Sequence, residues 1–429
     1  MKKLSIVIIS LIIVLLSNCQ RLETQESIFE NTSEIDSLVN HYVDNGSFPF
    51  IYVHLENKEG EVLYQHAAVN EELLPDAEIN GNTWIRIWSM SKIITISLVL
   101  DLVEEGILKL DDPVTKYIPE FKDLKVAVSS EGKSLNEYGW GNRDGACPID
   151  LVPQEREMTI SDLINHKAGF YYATTGYPCI DSLMSTQNLA TAKNTAEAIN
   201  RLAQLPLIQQ PGTDHFYGTN TTVLGFVAER ATEKSLKQLV KDRITTPLNI
   251  DGLQYGLASG AKILPRFSGV DSLLREANKG ELDIFGPDVP DYDPTHKLYL
   301  GGEGMLGTAD AYADFLRYVF LNKGTSETYR FLDESTVDEI TKPRTQLDNP
   351  WGSNGYNLWI TGDTMRTLGF GEAGLWTGGG YESTQFWVDP KREYVAVIMS
   401  QMFGIPPRGH DRDNQIRGAI YRQFWKDEE

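Results

Sequence analysis

Cysteine is scarce in this 429-residue chain, with three in all, and no two of them form a Cys-x-x-Cys pair. His-Glu-x-x-His is missing too, so the sequence signals no metal site and implies no cofactor. Gly-x-Ser-x-Gly is absent, which counts against an α/β-hydrolase. Basic residues are the minority charge, 39 Lys and Arg against 60 Asp and Glu, for a formal net charge of −21. So acidic a surface argues against nucleic acid as a partner. No internal repeat or low-complexity tract interrupts the chain. The longest apolar run, Leu4 to Leu16, is too short for a comfortable membrane span.

That run follows Met1-Lys2-Lys3 and ends in Leu16-Ser17-Asn18-Cys19, so residues 1–18 read as a signal peptide. The ending resembles the lipobox of bacterial lipoproteins, which implies lipidation of Cys19 and anchoring of an exported protein to a membrane. Gln20 follows, where aspartate would suggest retention at the inner membrane, so the outer membrane or surface is expected. Residues 19–34 read as a polar tether. Cys147 and Cys179 remain, each beside a proline in loop-like sequence. In an exported protein that setting favours a disulfide over two buried thiols.

The most informative stretch is Trp88-Ser89-Met90-Ser91-Lys92, which leads into the apolar run Ile93 to Leu100. A serine and a lysine three apart share one helical face, so the amine can approach the hydroxyl. A helix apolar all round is a buried one. Burial disfavours the ammonium form and would let Lys92 accept a proton. Free N–H groups at the helix start could hold an oxyanion. A capping serine followed by a surface lysine would give the same letters, as Ser130-Glu131-Gly132-Lys133 does in a polar loop setting.

Two further elements bear on that choice. Pro211-Gly212 delivers Tyr217 just ahead of a helix near Thr222, where a phenol can relay a proton. Trp376-Thr377-Gly378-Gly379-Gly380 opens a strand whose glycines let backbone N–H groups approach a ligand. Strand pairs occur at both ends of the chain: Phe48 to His66, and Gln385–Val388 with Tyr394–Met399. A closing helix runs from about Asp413 to Trp425, and helical segments fill the middle. Lys122 to Met158 is a long polar excursion. The expected fold is α+β: an antiparallel sheet built from both chain ends, flanked by helices, with an inserted mainly helical lobe. Residues 35–429 form one two-lobed domain in this reading.

Taken in order, these elements resemble the serine β-lactamase/penicillin-binding superfamily, in particular its class C-like branch. Leu110 to Phe121, Thr159 to Phe170 and Gly301 to Asp310 resemble that branch's framing segments. The resemblance implies Ser89 as nucleophile, with Lys92 and Tyr217 as its proton carriers. The N–H groups of Ser89 and of Gly378 or Gly379 would form the oxyanion hole. Trp376, Thr377, Thr219 and Asn220 would line the substrate. Two departures matter. Tyr217-Gly218-Thr219 lacks the β-lactamase Tyr-x-Asn carboxamide, and Trp376 replaces the third-motif lysine that attracts a carboxylate. Both favour a carboxylesterase-type acyl hydrolase acting on a small ester or amide. The alternatives are a β-lactamase, a D-amino-acid peptidase or an acyltransferase of the same superfamily, or a non-catalytic binding lipoprotein.

Overall fold

Strands rich in apolar residues on both faces need cover on both sides, and the strands from the two chain ends meet that description. The computed structural model describes residues 31–426 apart from 283–296, 327, 348–351, 405–408 and 410. The signal segment and Cys19 lie outside the described residues, as does His410. Among the described residues, no helix is long and apolar enough to cross a membrane.

The main sheet has eight strands: β1 (Phe50–Asn57), β2 (Val62–Val69), β3 (Thr345–Gln346), β4 (Ser353–Asn354), β5 (Trp359–Ile360), β6 (Trp376–Gly380), β7 (Thr384–Asp389) and β8 (Tyr394–Met399). Their order is β3-β4-β5-β6-β7-β8-β1-β2, with every neighbouring pair antiparallel. The N-terminal hairpin therefore docks on the C-terminal one, with Val53 opposite Ile398. Every residue of β8 is buried, whereas β2, at the edge, alternates.

Helix α1 (Ser33–Asp44) begins inside the segment expected to be tether. It packs on one sheet face with the closing helix α6 (Arg412–Lys426), which starts one residue before the expected Asp413. Tyr394 meets Tyr421 and Phe424 there, at centroid distances of 6.1 and 5.2 Å. The opposite face carries α5 (Ala309–Leu316), where Tyr312 lies 5.4 Å from the ring of Phe386.

Beyond α5 the inserted lobe packs around α2 (Ser91–Glu104), which is buried from Ser91 to Leu102. A short helix, α3 (Ile160–Ile164), is closed by a capping box between Thr159 and Asp162, and α4 (Asn220–Thr232) packs against both α2 and α3. The excursion from Lys122 to Met158 carries a two-stranded ribbon, Lys125–Ser129 with Ile149–Pro153. Cys147 and Cys179 are joined by a disulfide that ties this excursion to the helix Pro178–Gln187. The second Ser-x-x-Lys copy is a turn after the first ribbon strand, with Glu131 paired to Lys133 in solvent.

Candidate active site

Ser89 belongs to a 3₁₀ turn, Trp88–Met90, that leads directly into α2. In a 3₁₀ turn residues three apart eclipse, so the Ser-x-x-Lys spacing brings the two side chains together more directly than an α-helix would. The Lys92 Nζ atom stands 3.0 Å from Ser89 Oγ. Trp88, just ahead of the serine, has φ +47° although it is bulky and fully buried. Such a left-handed residue costs about 1–3 kcal/mol and persists only where its surroundings hold it. Tyr381 packs edge-on against its ring at 5.4 Å, and the Arg266 guanidinium lies 5.3 Å away. The segment before the turn is pinned as well, with Ile85–Arg86 pairing antiparallel to Leu306–Gly307.

Lys92 is fully buried and surrounded by oxygen. Besides Ser89, it donates to Tyr172 OH at 2.8 Å, the Gly302 carbonyl at 2.9 Å and Glu303 Oε1 at 3.2 Å. Glu303 also accepts hydrogen bonds from Tyr172 and, at 2.5 Å, from Thr222. The loop that brings this carboxylate in depends on glycine. A Cβ on Gly302 would stand 3.0 Å from Thr222 Oγ1 and 3.2 Å from Lys92 Nζ. Burial alone pushes Lys92 towards the neutral amine, but Tyr217 and Glu303 outweigh it and hold its pKa above the ordinary 10.5. The net direction is thus opposite to the one that burial of the helix alone implies. Burial, reinforced by Glu303, raises the Tyr172 phenol well above its usual range, so it keeps its proton.

Tyr217 arrives from the other side. Its ring stacks on the buried His166 at 5.1 Å and 8°, and Lys92 Nζ lies 5.0 Å from its centroid. Ser89, Tyr172 and Tyr217 open onto one cavity of about 520 Å³, whose wall includes Phe216, Trp359, Tyr381, Gly379 and Gly380. Arg143 lines it too, donating to the Thr175 carbonyl and lying 4.9 Å over the Tyr177 ring. Strand β6 approaches the segment that carries Ser89 closely: a Cβ on Gly380 would fall 2.6 Å from the Ile87 carbonyl oxygen.

A family model described as Beta-lactamase matches residues 35–420. The chain belongs to the beta-lactamase family. Among curated relatives, Protein Rv1367c of Mycobacterium tuberculosis is 29% identical over 75% of this chain and 78% of its own length. Acyltransferase mokF of Monascus pilosus is 25% identical over 72% and 70%, and Esterase EstB of Burkholderia gladioli 26% over 66% and 67%. A solved structure, "EstCE1, a hydrolase with promiscuous acyltransferase activity", shares the fold with a TM-score of 0.72 at 18% identity, covering 92% of this chain and 99% of that one. The family thus supplies both esterase and acyltransferase homologues, and a beta-lactamase/transpeptidase-like fold of helices around an antiparallel sheet.

Within this family frame the remaining residues fall into two groups. Ser89, Tyr217 and Gly379 line the cavity, with Lys92 directly behind Ser89. Trp376, Thr377, Gly378, Thr219 and Asn220 are not among its lining residues. Trp376 turns to the α5 side of the sheet, 5.9 Å from Phe320, and Gly378 shares that side, opposite Phe386. Thr377 donates to the Trp359 carbonyl. Thr219 and Asn220 are buried, donating to the carbonyls of Tyr171 and Phe170. Trp359, one strand over, lines the cavity and lies 6.0 Å from Tyr217.

Sequence reasoning gave no role to Tyr172, Glu303, Thr222, His166 or Trp359. For Glu303 a signal existed, since an acid directly after Gly301-Gly302 and before an apolar strand has no evident surface purpose. Nothing in the local sequence marks Trp359.

Proposed function

We propose that this member of the beta-lactamase family is an exported, lipid-anchored serine hydrolase that cleaves carboxylic esters through an acyl-enzyme on Ser89. The observation that carries the reading is Ser89 Oγ held 3.0 Å from the buried Lys92 at the edge of an aromatic cavity. Serine attacks the acyl carbonyl while the N–H groups of Ser89 and Gly379 take the oxyanion. Removing one such donor typically costs about 10²–10³ in rate. Gly379 is preferred to Gly378 because it lines the cavity beside Ser89.

Lys92 rests charged, so it takes up the serine proton only as it hands one on. The acceptor in line is the Glu303 carboxylate, reached directly or through the Tyr172 hydroxyl. Tyr217, on the cavity wall, returns a proton to the departing alkoxide. Water then attacks the acyl-enzyme, and the same groups run in reverse.

Export is supported by the Cys147–Cys179 disulfide, a bond that persists in oxidising compartments. The lipid anchor rests on the Leu16 to Cys19 motif. An esterase is favoured over a β-lactamase because no lysine occupies the third motif and threonine, not asparagine, stands two residues after Tyr217. The test is turnover of 4-nitrophenyl butyrate and a chromogenic cephalosporin by the wild type and Ser89→Ala. Ester cleavage lost in the variant, with little cephalosporin cleavage, is the expected result. Full ester activity in Ser89→Ala would sink the assignment.

A further inference from the structure

An ester has two ends, an acyl group and an alcohol, and two cavities meet beside Ser89. A second cavity, of about 780 Å³, shares Gly379, Gly380 and Tyr381 with the first, so the two meet along the stretch that flanks the nucleophile. Their chemistry differs. Phe216, Tyr217 and Trp359 line the first alone; Ser272, Thr384, Gln385 and Asp413 line the second alone.

Several features of the second cavity point to a neutral ligand rich in hydroxyls. Asp413 is already matched by Arg412, whose Nε donates to it at 2.6 Å, so it offers acceptor oxygens without an unbalanced charge. The Gln385 amide satisfies its surroundings when assigned with its nitrogen towards Asp413, donating to Oδ2 at 2.8 Å and Oδ1 at 3.1 Å, which leaves its carbonyl oxygen to accept. Thr384 is 3% exposed, and its hydroxyl has no hydrogen-bond partner among the described residues. Burying a hydroxyl unpaired is costly, and this one lies just beneath the cavity surface, where a small shift of Thr384 would let it pair with a ligand. This hydroxyl looks across the hairpin at Gly380, where a Cβ would fall 2.3 Å from it, at the junction of the two cavities. Phe403, stacked on Tyr381 at 4.1 Å, adds an apolar platform of the kind a sugar ring covers. Among the described residues that line it, Asp413 is the one charged group, and no lysine or arginine is present.

We propose that the second cavity is the alcohol subsite, and that the substrates are esters joining an apolar acyl group to a polyhydroxylated, sugar-like alcohol. The inference rests on the esterase reading above. The acyl group remains on Ser89 in the aromatic cavity. The acyl C–O bond breaks, and the sugar alcohol leaves through the second cavity carrying the returned proton.

The test compares two alkyl esters with matched acyl and primary leaving groups: methyl 6-O-butyryl-glucoside and cyclohexylmethyl butyrate. The full-length protein should show kcat/KM at least about ten-fold higher for the sugar ester, the discrimination expected when a site's polar groups are left unpaired by an analogue. Thr384→Val, which keeps the shape, and Gln385→Ala should each lower the ratio of the two several-fold, with melting temperatures recorded as a folding control. Equal turnover of the two esters, or variants that lower both by the same factor, would overturn the subsite while 4-nitrophenyl butyrate turnover leaves the esterase reading standing. Failure to cleave any of the three esters would overturn both.

Discussion

Replacing Glu303 by glutamine keeps the shape of the side chain and removes the charge beside Lys92. The pair is 3.2 Å apart and almost fully buried, at 0% and 1% exposure. At an effective dielectric of about 20, their attraction is roughly 332/(20 × 3.2), or about 5 kcal/mol. Breaking one side of a buried pair generally costs about 3–5 kcal/mol, because the surviving charge is left uncompensated. The lysine has one escape, which is to shed its proton. In the wild type Lys92 is held above 10.5, so its contribution to stability is complete at neutral pH and is lost only as pH rises beyond that value. We predict that in Glu303→Gln burial overcomes what Tyr217 still contributes, so that the folded lysine titrates below 10.5 while the unfolded one still binds a proton. The unfolded state then carries more protons across the neutral range, and stability of the variant rises with pH. Thermal unfolding should therefore show a deficit of about 3–5 kcal/mol at pH 7 that narrows at pH 9.5. Activity on a nitrophenyl ester should fall about 10²-fold, the usual weight of a proton-transfer group. A deficit under about 1 kcal/mol, with no change in pH slope against the wild type, would refute the claim that Glu303 holds Lys92 charged.

Three other changes probe the same framework. Gly380→Ala places a methyl 2.6 Å from the Ile87 carbonyl oxygen, two residues before Ser89, and 2.3 Å from the Thr384 hydroxyl, so kcat should drop at least about ten-fold alongside an overpacking loss of about 1–3 kcal/mol in stability. Unchanged kcat would mean that β6 does not fix the serine turn. Replacing Cys147 and Cys179 by alanine opens a link spanning 32 residues, which loop-closure entropy values at about 3–4 kcal/mol. Because Arg143 and Thr175 sit on the two tied segments and line the cavity, KM should rise more than kcat falls; a stability loss with untouched KM would separate the tie from the wall. Burial, with His215 and Lys92 nearby, keeps His166 well below its usual 6.5. The unfolded chain therefore takes up a proton that the folded one refuses below pH 6.5, and stability falls as pH drops through that range. His166→Asn should flatten that slope, and an unaltered slope would assign it to other groups.

Local pattern accounts for what could be read ahead of the structure. The terminal hairpins announce themselves because apolar runs are cut by Asn57 to Gly60 and Asp389 to Arg392, turn residues that act within a few positions. Ser89 and Lys92 are three residues apart, so one turn of backbone decides their meeting. Glu303 reaches Lys92 from 211 residues away, and no periodicity carries such information. The placing of Trp376 is a subtler matter. Its strand was recognisable, but which face it points to depends on the pairing of β6 with β7, and a two-residue period makes that choice all or nothing. The protonation of Lys92 escaped for a related reason: burial could be inferred from the helix, but the compensating carboxylate could not.

The pairing of β1 with β8 also sets a schedule for biosynthesis. When residues 50–69 leave the ribosome they form a hairpin whose inner strand has no neighbour until residue 399 has followed, and β6 itself is more than 280 residues behind Ser89. Contacts so distant in sequence form late. A nascent or prematurely terminated chain can hold its serine, lysine and tyrosine and still lack the glycine strand that lies against the Ser89 segment. Completion of the proposed site is thereby deferred until translation is nearly finished.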